Sequence, residues 1–247
     1  MKKFLLLVFV LVSLYWNVNA SDYYVDINHS SSSDDNPWTE DLPFKNIQAS
    51  VNWLLPGDTV YVKDGIYSLS TPKWQSNFPV IVYVFRDWTK DNPITFKAYP
   101  GDKPIIDWLW VAEWFYMTGK TWVVIDGFEM RNLAWAWVHV AWSGESISVL
   151  NCHIHHVNND SGSTNVAGIK FDWVKNSYAA NNIIHDISFE WDIYNQNTAA
   201  IHTYWWSNAI VENNTFSNVY SWIYQKRAVE DVKSSIIRNN EIFNTKT

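Results

Sequence analysis

Between residues 123 and 245 the chain repeats one hydrophobic and polar pattern five times. The segments VVIDGFEMRNL (123–133), ISVLNCHIHHV (147–157), SYAANNIIHDI (177–187), AIVENNTFSNV (209–219) and SIIRNNEIFNT (235–245) align without gaps. Their fifth position reads Gly127, Asn151, Asn181, Asn213 and Asn239, and their eighth reads Met130, Ile154, Ile184, Phe216 and Ile242. Steps between the fifth positions are 24, 30, 32 and 26 residues. Asn and Gly tolerate the left-handed backbone of a sharp bend, so each segment reads as strand, bend, strand. Asn side chains stacked coil on coil can also hydrogen-bond along the stack.

A further strand precedes each segment: WFYMT (114–118), WVHVA (137–141), GIKFD (168–172), AIHTY (200–204) and WIYQK (222–226). The second position is always apolar (Phe115, Val138, Ile169, Ile201, Ile223) and the third polar or amphipathic (Tyr116, His139, Lys170, His202, Tyr224). Successive strand residues face opposite sides, so the first set points in and the second out. Three short strands per repeat of this length predict one turn of a parallel β-helix, an all-β solenoid.

The pattern changes upstream. From Phe44 to Leu55, Ile47, Val51, Leu54 and Leu55 recur at helical spacing until Pro56-Gly57 stops the run. This predicts an amphipathic helix capping the open end of the solenoid and protecting its edges. At the start, Lys2 and Lys3, the run FLLLVFVLVSLY and Val18-Asn19-Ala20 form a secretory signal peptide cut after Ala20. Residues 21–110 then hold the cap and first coils, and 111–247 the regular coils. The sequence stops just after the fifth bend, so further coils are expected beyond it.

The stretches YYVDINHSSSSDDNPWTEDLPFKNIQASVNWLLPGDTVYVKDGIYS and NPITFKAYPGDKPIID resemble the entry segment of secreted right-handed β-helix proteins. That superfamily includes pectate-lyase-like and chondroitinase-B-like polysaccharide lyases. The resemblance implies a right-handed helix and, more weakly, a carbohydrate-active function, because one fold hosts many reactions.

Charge narrows the partners. The formal charge is −7, and about −9 without Lys2 and Lys3, which disfavours nucleic acid and anionic lipid. No later segment is apolar enough to insert in a membrane. Cys152 is the only cysteine, so no intrachain disulfide forms and hydrogen-bonded ladders must supply rigidity. The expected protein is secreted or on the cell surface, monomeric, with a polysaccharide as partner.

The 17 Trp against 8 Gly invert ordinary usage. In the repeat, Trp114, Trp137 and Trp222 share a column with Gly168 and Ala200, while Trp142, Trp173 and Trp205 fall opposite Gly119. Trp38, in NPWT, stands where the resembling proteins have a glycine turn. Tight turns need positive φ, free for Gly and strained for a bulky side chain. The reading that follows is that most of these tryptophans are glycines encoded by UGA. The competing reading is an aromatic platform for sugar rings.

In the lyases that the chain resembles, the groove lies on the outer face of the strand before the long coil. Here that face carries Tyr116, His139, Lys170, His202 and Tyr224, expected to bind substrate or, for Lys170, to act chemically. With coils about 4.8 Å apart the column runs about 19 Å. Thr118, Ala141, Asp172, Tyr204 and Lys226 come two residues further on, and Arg227 follows. Elimination from a uronate needs a base for the proton beside the carboxylate and a partner that neutralises that carboxylate. Lys226 and Lys170 are the candidate bases and Arg227 the clamp. Asp172, Glu190 and Asp192 are candidate calcium ligands, although no spacing is diagnostic.

Each of these residues also reads as an ordinary solvated side chain. His153, His155 and His156 invite a zinc reading, but strand alternation is expected to separate His155 from its neighbours, with Ile154 pointing inward. The leading expectation is a lyase on an acidic polysaccharide. The alternatives are a glycoside hydrolase pairing Asp172 with Glu190 or Asp192, and a non-catalytic glycan-binding or adhesin-like protein.

Overall fold

The protein was described from a computed structural model that covers residues 20–68, 73–75, 78–85, 88–107, 113–133, 136–158, 165–188, 197–205, 208–226 and 235–245. Residues 1–19, where a signal peptide was expected, lie outside them. Short strands alternate around three sheets of eight, seven and seven strands. The first runs from Asp22–Val25 to Ile236–Arg238, the second from Ile66–Tyr67 to Glu241–Phe243, and the third from Lys73–Gln75 to Ile223–Lys226. Among the described strands, pairing is parallel apart from Lys73–Gln75 against Phe78–Val84. The chain is a right-handed parallel β-helix.

Alternation builds the core. Val60, Phe96, Ile125, Val149, Ala179 and Val211 stand in direct register on successive coils, all with no exposed surface. Met130, Ile154, Ile184 and Phe216 form a second inward column, as their shared place in the repeat predicts. Each buried Val, Ile, Met or Phe side chain contributes roughly 1.5–3 kcal/mol relative to exposure.

The bends adopt the expected left-handed backbone, with φ of 84° at Gly127, 52° at Asn151, 57° at Asn181, 56° at Asn213 and 53° at Asn239. The stack of amides sits one residue later than expected. Asn182 donates Nδ2–H to Asn214 Oδ1 at 2.9 Å, and Asn214 to Asn240 Oδ1 at 3.0 Å. The bend residue itself turns outward, and the next one points into the core, where its amide satisfies buried backbone groups.

Tryptophan occupies the same strained region. Trp38, Trp122, Trp142, Trp173 and Trp205 have φ between 56° and 61°, beside Gly119 at 61°. A bulky residue there is a genuine outlier, costing on the order of 1–3 kcal/mol. The side chains of Trp114 and Trp137 lie outside the described residues. Trp222 packs against the core.

The cap helix is shorter than its periodicity suggested, Ile47–Val51. Phe44 instead bridges to Val25 in extended backbone, and Leu55 is exposed. Ile47, Val51 and Leu54 are buried as expected. Gln48 Oε1 accepts a hydrogen bond from the Tyr83 amide at 2.6 Å, tying the helix to the third sheet. Among the described residues no helix is long and apolar enough to cross a membrane.

Candidate active site

The third sheet carries the outward row. The register aligns Tyr83, Tyr116, His139, Lys170, His202 and Tyr224 one above another on six successive strands. Tyr83 was missed in the sequence because its strand lacks the Asn-bend segment that identified the others. Neighbouring rings in the row touch: Tyr83 on Tyr116 at 6.0 Å, Tyr116 on His139 at 5.3 Å, His202 on Tyr224 at 5.5 Å. The row is not the solvated face that outward residues usually form. Tyr116, His139, Lys170 and His202 are all buried.

Asp172 is the electrostatic centre. It lies two residues beyond Lys170 on the same strand and therefore on the same face. Its Oδ2 is 3.2 Å from Lys170 Nζ and 3.3 Å from His139 Nε2, while Oδ1 is 3.7 Å from His202 Nδ1. Burial alone would raise the Asp172 carboxyl, but the two imidazoles and the Lys170 charge outweigh it and hold the group well below the usual carboxylate range. Burial pushes the His202 imidazole down, more than Asp172 restores, with Lys170 and Lys226 adding to the fall. His202 is thus neutral at neutral pH.

These groups line a cleft of about 150 Å³ formed by Asn165, Lys170, Asp172, Trp173, His202, Tyr204 and Lys226. Tyr204 pairs in register with both Asp172 and Lys226, so the second outward row forms the cleft wall. The structure thus brings Lys170, His202, Asp172 and Lys226 together. Tyr116 and His139 stand further along the row, outside the cleft lining. Arg227, Glu190 and Asp192 lie outside the described residues.

The Asp172 surroundings do not fit calcium. Calcium takes six to eight oxygen ligands, whereas this carboxylate faces an ammonium and two imidazoles. Asp172 serves as a counter-ion instead. The same pairing argues against a hydrolytic acid, which needs a raised carboxyl.

The structure corrects one further expectation. His153 and His155, two residues apart, project on the same outward face of the second sheet, their ring centroids 4.3 Å apart. Register places His185 of the next coil beside His155.

A family model described as Pel9A-like, right handed beta helix region matches residues 23–190. Pectate lyase PEL9 of Emericella nidulans is 34% identical over 100 residues, 40% of this chain and 22% of that protein. Pectate lyase L of Dickeya chrysanthemi is 25% identical over 167 residues, 65% of this chain and 37% of that protein. The chain therefore matches well under half the length of either relative. A solved structure of a rhamnogalacturonan lyase superposes with a TM-score of 0.54 at 14% identity, over 91% of this chain and 63% of that one. At that identity the likeness shows a shared fold.

Proposed function

Because the chain belongs to the Pel9A-like right-handed β-helix family, we propose that it is an extracellular polysaccharide lyase that cleaves a uronate-containing polymer, pectate first among them, by β-elimination. The observation that carries this reading is the cleft in which Lys226 and Lys170 converge beside neutral His202. Two cations in one cleft suit a polyanionic chain even on an acidic protein.

In the reaction a base removes the proton on the carbon beside the carboxylate. The bond to the glycosidic oxygen then breaks, a carbon–carbon double bond forms, and the departing oxygen takes a proton from water. Lys226 is the base: part-exposed at the cleft wall, it gives its resting proton to water and takes the substrate's as the neutral amine. The Lys170 ammonium, anchored by Asp172, offers fixed positive charge to the substrate carboxylate as negative charge develops. Arg227, next in sequence, supplies a further clamp. His202 and Tyr224 flank the bound sugar.

No step is routed through calcium. The hydrolase alternative loses Asp172 as its acid, because that carboxylate is held ionised. The test is product chemistry: pectate, alginate and chondroitin are each incubated with the protein. Elimination leaves an unsaturated sugar absorbing in the ultraviolet, hydrolysis leaves none, and a binding protein releases nothing. Absence of ultraviolet product from all three would overturn the lyase reading.

A further inference from the structure

On the second sheet, away from the lysine cleft, Glu129, His153, His155 and His185 converge from three successive strands, Glu129–Leu133, His153–Asn158 and Ile183–Ser188. We propose that they form a binding site for a divalent transition metal of the zinc type. Glu129, His153 and His155 each offer a ligand atom within 4.8 Å of the others. The Nε2 atoms of His153 and His185 face each other at 2.8 Å.

Two details point to a ligand rather than to chance stacking. His185 donates Nδ1–H to the Asp186 carboxylate at 2.7 Å. Asp186 only accepts, so the lone pair of His185 sits on Nε2, the atom aimed at His153. A carboxylate behind an imidazole in this way is the usual support of a metal-ligating histidine. Secondly, His155 Nε2 is buried with no hydrogen bond, its nearest carboxylate oxygen being Glu129 Oε1 at 3.5 Å. Its other nitrogen is engaged by His156 Nδ1 at 2.6 Å. Glu129 is itself steadied by Arg131 Nη1 at 3.0 Å, and Asp107 balances that arginine at 2.8 Å.

The donor set selects the metal class. Three imidazoles and one carboxylate suit zinc and its neighbours, not calcium or magnesium.

The test uses the full chain, stripped with EDTA and titrated with zinc chloride in a calorimeter. One equivalent is expected to bind and to raise the melting temperature. His185→Gln should abolish the binding while Lys226→Ala keeps it. Asp186→Asn, which touches no metal, should weaken it by about 10-fold or more. No zinc binding, or equal binding by the parent and His185→Gln, would overturn the site. Folding of each variant is checked by circular dichroism in the metal-free state.

A separate observation carries a second inference. Gly119, Trp142, Trp173 and Trp205 occupy one column of turns, and all four have φ of 56–61°. The backbone is that of glycine at each, and Trp38 at 61° and Trp122 at 58° repeat it elsewhere. Register puts Trp122 beside Ser146, also left-handed at 55°. We infer that glycine occupies these five Trp positions in the protein as its own cells make it, through reading of UGA as glycine. The stacked indoles of Trp142 and Trp173, 4.6 Å apart with Trp173 lining the cleft, are then not a sugar platform. Mass spectrometry of tryptic peptides from the natively expressed protein, with the codons of its gene, decides the matter. Glycine masses and UGA codons are expected at 38, 122, 142, 173 and 205. Tryptophan masses, or UGG codons, at these positions would overturn the inference.

Discussion

Lys170 Nζ and Asp172 Oδ2 meet at 3.2 Å, both residues buried on one strand face. A buried charge deprived of its partner is strongly destabilising. Asp172→Asn is therefore expected to lower unfolding free energy by about 3 kcal/mol or more. The double variant Lys170→Met, Asp172→Asn should recover most of that stability and remain inactive on pectate. Urea unfolding of the three proteins checks this. A single variant as stable as the parent would show that the pair does not anchor the strand.

Stability is expected to fall as pH drops from about 6.5, the ordinary histidine value. His202, His153 and His155 all have lowered folded pKa values, His155 pushed down to about 4. The unfolded chain takes up these protons first, so their contribution is complete above about pH 6.5 and is lost toward pH 4. Asp172, also lowered, adds a second loss below about pH 4, where the unfolded carboxylate protonates before the folded one. Denaturant titrations of the EDTA-stripped, metal-free protein at stepped pH should show both slopes. His155→Gln should flatten the first, and an unchanged slope would count against the assignment.

The coil pattern was legible because inward and outward residues alternate strictly, and parallel register then stacks equivalent positions. The row Tyr116, His139, Lys170, His202 and Tyr224 follows from that alone. Its burial does not, because alternation gives direction without telling what covers a face. Lys170 and Asp172 share a face by their spacing of two, yet their pairing with His139 and His202 needs register across three coils. The histidines show the same limit. His185 sits 30 residues from His155 in sequence and 5.0 Å from it ring to ring.

Asn214 is expected to be the most costly of the ladder amides to remove. It donates to the Ala179 and Glu212 carbonyls and to Asn240, and accepts from the Asn182 amide and side chain. Asn214→Ala leaves several buried partners unsatisfied, each costing about 1–3 kcal/mol. A loss of about 3 kcal/mol or more is expected by urea unfolding. Asn151→Ala, at an exposed bend, should cost less, since only its left-handed backbone and one bond to Asp126 are affected.

Lys226 should be the most consequential residue for catalysis and one of the least for folding. It lines the cleft at the end of the second outward row, in register with Tyr204, and is only partly buried. Removing a part-exposed cation from an acidic surface typically changes stability by no more than about 0.5 kcal/mol. Removing the base from an elimination typically lowers the rate about 100-fold or more. Lys226→Ala should thus melt like the parent while forming ultraviolet-absorbing product from pectate at about one hundredth of its rate. Lys226→Arg, which keeps the charge but cannot give up a proton, should be no more active than the alanine variant. That comparison separates the two roles a lysine could have here. Recovery of activity by arginine would mean that Lys226 only attracts the uronate, and the base would then have to be sought elsewhere on the face.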